Sequence, residues 1–322
     1  MVDPLERALP RPLLMALRKQ KYQLVGTHSA VKKCRWLHES LVHNRVCYKQ
    51  KFYGIKSHRC LQMTPTVAYC TMRCLFCWRI QPDDIGIVWD ESRPIKWDDP
   101  KSIVGGCFEA QRRILTGYKL HSRVNSGKYQ EAVEPKHVAI SLVGEPTLYP
   151  DLGALVCEFH RRGMTTFIVT NGTMPEALEN LAEEPTQLYV SVCAPDEKTF
   201  IETCRPQIPD AWQRLNRTLE LLPSFKCPTV MRLTLVRNLN LKDSKAYANL
   251  AKKADICYIE PKSFMFVGFS RKRLNFNNMP THEEIRAFAE KLALETGYKI
   301  INESKESRVV LLSRLEKAIK LA

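Results

Sequence analysis

The chain has 322 residues and a formal charge of +15 at pH 7, long enough to bury one sizeable core and basic enough to favour a polyanion, nucleic acid ahead of an acidic membrane surface. No apolar run approaches the ~20 residues that cross a bilayer, and the N-terminal "MVDPLERALPRPLLMALRKQK" is too broken by charge and proline for a signal peptide. A soluble, cytoplasmic protein with no membrane partner is expected, in which twelve cysteines serve metal binding or catalysis rather than disulfides.

Residues 1–62 read as a basic, irregular segment. The first sixty residues hold thirteen Lys and Arg against three Asp and Glu, and they place Cys34, Cys47 and Cys60 with twelve residues between neighbours each time. Equal long gaps do not suit a single turn, but thiolates from separate elements can converge on one cubane. Trp36, Tyr48, Phe52, Tyr53 and, further on, Trp78 are interleaved with basic residues. They are candidates for stacking an unpaired base, or ordinary core aromatics. Lys49 and Lys51 follow Cys47 closely.

Residues 63–261 alternate short β-type runs with helical patterns. "PTVAYC" (65–70), "HVAISLV" (137–143), "TTFIVTN" (165–171), "LYVSVCA" (188–194), "TVMRLTLV" (229–236) and "CYIEP" (257–261) have the length and β-branched or aromatic content of buried strands. Asp151 and Pro175 start helical segments between them. Six alternations predict an α/β fold, a partial (β/α)6 TIM-like barrel with parallel strands. Functional groups should then gather where the strands end. The stretch 118–136 reads as a polar loop on the opposite face. Residues 262–322 form a C-terminal extension with one helix, "THEEIRAFAEKLALETG", and two β-like runs, "YKIIN" and "RVVLLSR".

"CTMRCLFCW" (70–78) puts Cys70, Cys74 and Cys77 directly after the first predicted strand. A structural zinc site takes four protein ligands, whereas three thiolates on a cubane leave one iron for a small molecule. This CxxxCxxC motif, with Phe76 between its last two cysteines, resembles the radical S-adenosylmethionine superfamily. The resemblance implies a [4Fe–4S] cluster whose open iron takes the amine and carboxylate of S-adenosylmethionine. Gly144 and Glu145 of "SLVGEPTLYP" match the turn that meets the cofactor's amino group, and Glu145 can accept its charge-assisted hydrogen bonds. Thr170 and Asn171 of "VTNGT" and Ser191 of "SVCAPD" match cofactor contacts at later strand ends, with strand-end capping as the alternative for Thr170 and Ser191. Phe76 and Trp78 complete the expected cofactor site.

With Cx12Cx12C ahead of CxxxCxxC, and with "ETCRP", "AWQRLN", "MRLTLVRN" and "KSFMFVGFSRKRL" further on, the chain resembles the tRNA 4-demethylwyosine synthase family in its archaeal single-domain form. The resemblance covers nearly the whole chain. It implies two [4Fe–4S] clusters, tRNA(Phe) bearing N1-methylguanosine at position 37, and pyruvate, which would be chelated by the second cluster. A 5′-deoxyadenosyl radical would take hydrogen from the N-methyl group, and the resulting carbon radical would join two carbons of pyruvate. An external flavodoxin- or ferredoxin-like electron donor and a monomeric state are expected. Lys49 could form a Schiff base with pyruvate; a phosphate contact is its other reading, and Lys51 competes for the chemistry. Two other classes stay open: a different radical tRNA-modifying enzyme such as a methylthiotransferase, and a non-catalytic zinc RNA-binding protein.

Overall fold

A computed structural model describes residues 8–94 and 96–322; the first seven residues of the basic segment lie outside the described part. Ten strands join in one sheet, in the order β1-β2-β3-β4-β5-β6-β7-β8-β10-β9. The six strands β3 (Cys60–Thr64), β4 (His137–Ile140), β5 (Thr165–Thr170), β6 (Gln187–Ser191), β7 (Thr229–Leu235) and β8 (Tyr258–Ser263) pair in parallel throughout. These six are the expected partial barrel. An antiparallel hairpin, β1 (Gln23–Val25) and β2 (Ser29–Val31), extends the sheet beside β3, and β9 (Lys299–Ser304) with β10 (Val309–Ser313) extends it beside β8.

Three expectations are corrected. The first barrel strand is Cys60–Thr64, not 65–70, which is a buried loop through Val67, Ala68 and Tyr69. The N-terminal segment is not irregular, since it contributes the hairpin and the helices Arg11–Lys19, Arg35–Val42 and Tyr48–Tyr53. The divisions at residues 62 and 261 therefore fall inside β3 and β8, and all three segments share one sheet. Residues 118–136 also include a helix, Ser126–Val133. It braces the N-terminal segment, with Glu131 accepting from Lys56 and bonding His58, and Lys128 reaching Asn44.

Side chains alternate across each strand, and the two faces differ in chemistry. Leu61, Met63, Val138, Ile140, Ile168, Leu188, Val190, Met231, Leu233 and Ile259 point outward, into the main core beneath the helices. The alternate positions of β7 and β8, Val230-Arg232-Thr234 and Tyr258-Glu260-Lys262, point into the barrel. Toward the strands' N-terminal ends this interior is closed by the helix Tyr48–Tyr53, whose Tyr48, Phe52 and Tyr53 pack with Phe167, Tyr189, Val230 and Tyr258. The C-terminal helix His282–Thr296 starts on a capping box between Thr281 and Glu284 and stops at Gly297, whose φ is 78°. Among the described residues no helix is long and apolar enough to cross a membrane.

Candidate active site

The loop carrying Cys70, Cys74 and Cys77 is fixed largely by backbone contacts. The amides of Arg73 and Leu75 donate to carbonyls of Thr203, Cys204 and Arg205, at the end of the helix Glu197–Cys204. Gln81 donates to the Cys74 carbonyl at 2.9 Å. Arg273 reaches the Leu75 and Cys77 carbonyls while pairing with the buried Asp84 at 2.6 Å. Of the three charges in "SRKRL", Arg273 is thus committed to holding this loop. The thiols of Cys70 and Cys74 stand well above the usual range. For Cys70 burial is the main cause; for Cys74 it is a hydrogen bond with Cys204, followed by burial. The buried Cys204 thus lies beside the triplet.

Around the loop, Gly144 has φ +94°, and a Cβ there would fall 1.7 Å from the Thr66 carbonyl oxygen, so only glycine fits the turn. Glu145 is 2% exposed. Its Oε1 accepts from the Thr170 hydroxyl at 2.6 Å and from the Thr147 hydroxyl and amide at 2.7 and 3.1 Å, and its Oε2 accepts from the Asn171 amide at 2.8 Å. Burial raises its pKa, and these donors oppose the shift. A carboxylate has about four lone-pair positions, so Oε2 keeps one for an outside donor. Thr170 was read as a cofactor contact or as strand-end capping, and its hydroxyl donates to Glu145 and accepts from the Gly172 amide. Asn171 is committed too, donating to Thr71 at 2.8 Å and lying 3.8 Å from Cys70 Sγ. Phe76 is half-buried against the core. Trp78 is also half-buried, with the Arg79 guanidinium 4.8 Å and Lys32 Nζ 5.6 Å from its ring. Ser191 is half-buried and paired in register with Arg232.

The second triplet is built from three different elements. Cys34 and Cys47 cap the helices Arg35–Val42 and Tyr48–Tyr53, and Cys60 opens β3. Cys47 Sγ accepts from the Lys49 amide at 3.2 Å. Burial lifts all three thiols, Cys47 to about 11; the charge of Cys34 raises Cys47 and Cys60 further, and Lys49 opposes the shift in each. The three cysteines thus lie near one another and near Lys49, with Cys60 at the start of β3, while the first triplet follows its end. Functional groups were expected where the strands end, with a second cysteine set in the N-terminal segment; Cys60 of that set stands at the first residue of β3. Among the described residues no three His, Cys, Asp or Glu side chains surround one point closely enough for a single ion. A cubane asks less, because each thiolate meets a different iron, and both triplets supply thiol donors of the right type.

Lys49 points into the barrel. Its Nζ lies 3.9 Å from the Tyr189 ring centroid and 5.0 Å from that of Phe167, with no hydrogen-bond partner among the described residues. Burial lowers its pKa, against the charge of Glu260. Lys51 is exposed and donates to the Glu303 carbonyl at 2.6 Å, away from the interior. Tyr48, Phe52 and Tyr53 are buried core residues, not stacking platforms; Trp36 and Trp78 keep exposed surface.

Sequence reasoning missed the charged tier inside the barrel. Glu260 is fully buried; its Oε1 accepts from Tyr53 at 2.7 Å and Tyr189 at 3.3 Å, and its Oε2 has no partner. Arg79 and Arg232 each have a buried Nε without a partner. The charge of Arg79 couples to Cys34 of one triplet and to Cys70 and Cys77 of the other. Lys262 is lowered to about 7, chiefly by burial and then by Arg232. The available signal was period two: charged residues at alternate positions of strands whose other positions are apolar must face an enclosed polar space.

The chain matches the Radical SAM superfamily over residues 64–251 and Wyosine base formation over residues 253–314. It is 53% identical over 310 residues to the S-adenosyl-L-methionine-dependent tRNA 4-demethylwyosine synthase of Pyrococcus abyssi, covering 95% of this chain and 90% of that protein. The protein of the same name from Methanocaldococcus jannaschii is 42% identical, covering 97% and 98%. A solved structure described as TYW1 with a lysine-pyruvate adduct bound superposes with a TM-score of 0.86 at 40% identity, covering 97% of this chain and 99% of that one. These matches favour neither a methylthiotransferase nor a zinc RNA-binding protein. The chain belongs to the radical SAM superfamily, whose members take S-adenosylmethionine and a [4Fe–4S] cluster, and within it to the tRNA 4-demethylwyosine synthases, enzymes of wyosine biosynthesis.

Proposed function

We propose that this chain condenses N1-methylguanosine-37 of tRNA(Phe) with pyruvate to form tricyclic 4-demethylwyosine. The observation that carries the reading is the amine of Lys49, held inside the barrel over Tyr189 and Phe167 in the helix that Cys47 caps. The lysine-pyruvate adduct of the 40% identical structure supports it, since Lys51 is turned outward.

Cys70, Cys74 and Cys77 would hold the [4Fe–4S] cluster that, when bound, supplies the electron for cleaving S-adenosylmethionine. Glu145, aimed by Thr147, Thr170 and Asn171, offers Oε2 to the cofactor's ammonium, and Gly144 lets the turn come close enough to do so. Phe76, Trp78 and Ser191 line the same end of the barrel. Cys34, Cys47 and Cys60 would hold a second [4Fe–4S] cluster. Lys49 adds to the carbonyl carbon of pyruvate, and the ketone oxygen leaves as water. The methylated base enters from the half of the molecule where Lys33, Arg35 and Trp36 retain exposed surface. Residues 1–62 thus carry the second cluster and the basic surface, 63–261 the cofactor, and 262–322 pack against both. The reducing electron comes from an external flavodoxin- or ferredoxin-like protein, and the chain works as a monomer.

Anaerobic turnover with methylated tRNA, pyruvate, S-adenosylmethionine and a reductant, followed by nucleoside mass analysis, tests the proposal. A tricyclic nucleoside appearing only when pyruvate is present supports it. Methylated guanosine recovered unchanged alongside cleaved S-adenosylmethionine would refute it.

A further inference from the structure

We infer that Arg232 anchors the carboxylate of the keto acid whose carbonyl carbon Lys49 takes, and so selects a 2-oxo acid over a neutral ketone. The inference rests on the Lys49 reading above. Arg232 lies mid-strand on β7, paired in register with Ser191 on one side and Glu260 on the other. Its Nε is buried without a partner, and among the described residues its guanidinium makes no hydrogen bond or ion pair. Glu260 is its register neighbour, yet it offers its bonded oxygen to Tyr53 and Tyr189 instead.

A guanidinium cannot discharge by losing its proton, and a buried, unpaired charge is costly. The same interior also holds the Arg79 guanidinium, whose buried Nε likewise lacks a partner, so among the described residues two guanidinium groups face the Glu260 carboxylate before any substrate enters. Lys49 Nζ lies over the ring of Tyr189, whose hydroxyl donates to Glu260, the register neighbour of Arg232, and this chain of contacts places all three around one space. In a 2-oxo acid the carbonyl and carboxylate carbons are bonded to each other, so an amine and a guanidinium facing the same space can take both. The guanidinium fork fits a carboxylate with two parallel hydrogen bonds. Imine formation then joins Lys49 nitrogen to the carbonyl carbon, with the ketone oxygen lost as one water. The carboxylate stays intact at this step, held by Arg232.

The test uses the full-length reconstituted protein, labelled pyruvate, and pyruvamide as its uncharged counterpart. Borohydride delivers hydride to the imine carbon and fixes a secondary amine, which peptide mass analysis locates. Arg232→Gln should raise the pyruvate concentration giving half-maximal adduct on Lys49 by roughly 10- to 100-fold and leave that for pyruvamide unchanged. Arg232→Lys, which keeps the charge and protects against a folding failure, should fall between. If Arg232 served only to balance Glu260, the double variant Arg232→Gln/Glu260→Gln would restore pyruvate trapping; the inference requires that it does not. Unchanged half-saturation in Arg232→Gln, or equal losses for pyruvate and pyruvamide, would overturn it. An unsubstituted protein that traps neither compound would instead remove the Lys49 reading, and this inference with it.

Discussion

The two cysteine triplets are built in opposite ways. Cys70, Cys74 and Cys77 lie within eight residues of loop, positioned by backbone hydrogen bonds and by the Arg273–Asp84 pair. Cys34, Cys47 and Cys60 come from two helix starts and the first residue of a strand. The first set therefore depends on local conformation, and the second on how the N-terminal segment docks under the barrel. A local set can be disturbed at one pin; a dispersed set fails when its docking fails. The barrel interior also holds Lys49, over the Tyr189 ring, and Arg79 and Arg232, whose buried Nε atoms have no partner among the described residues.

The largest effect separates what the two regions do. Lys49→Ala should abolish tricyclic product in nucleoside mass analysis, while S-adenosylmethionine cleavage, iron content and tRNA binding persist. Lys49→Arg keeps the charge but cannot form the imine, so it should be equally inactive; substantial activity in that variant would favour phosphate contact.

Next comes the pin on the local set. Arg273→Ala leaves Asp84 buried without its partner, at a cost of about 3–5 kcal/mol. It should lower the unfolding midpoint and deplete iron from the Cys70 loop, sparing the other triplet. Equal depletion at both triplets would contradict a loop held locally and a set held by docking.

The dispersed set should respond to acid. His137, in register with Cys60, is lowered to about 4, by burial first and by Arg59 next. Its Nε2 accepts from the Lys56 amide at 3.2 Å. Because the folded pKa is depressed, the unfolded chain takes the proton first. Stability is full above pH ~6.5 and falls as pH drops toward 4, by at most about 3 kcal/mol from this group. His137→Gln should flatten that part of the pH–stability curve.

The smallest effect concerns the basic surface. Lys33 is exposed, whereas Lys32 is half-buried over Tyr22 at 4.3 Å and lowered to about 8, mainly by burial. Lys33→Ala should therefore flatten the log–log salt dependence of tRNA binding by about 0.7 to 0.9, and Lys32→Ala should change it little. A salt-independent dissociation constant would contradict the nucleic-acid reading of the charge.

How much of this was legible in the sequence followed the same division. The first triplet could be read from spacing, and the Gly144–Glu145 turn from its resemblance to the superfamily's, because local conformation is local in sequence. Five of the six barrel strands were placed within a few residues. The sixth was misplaced because "CLQMT" turns Cys60, Gln62 and Thr64 toward a polar interior and so looks unlike a buried strand, while the apolar "PTVAYC" is a buried loop. The polar tier of Arg232, Glu260 and Lys262 went unread for the same reason: period two was visible, but the apolar outward residues dominated it. No spacing rule could show that Thr170 and Asn171 serve Glu145 and the cysteine loop, since those bonds span 25 and about 100 residues.

The division of labour between the triplets is tested most directly by replacing Cys34, Cys47 and Cys60 together with Ala and measuring iron and products on one preparation. The account predicts half the iron, retained reductive cleavage of S-adenosylmethionine, and no tricyclic nucleoside. Full iron, or tricyclic product from this variant, would contradict it.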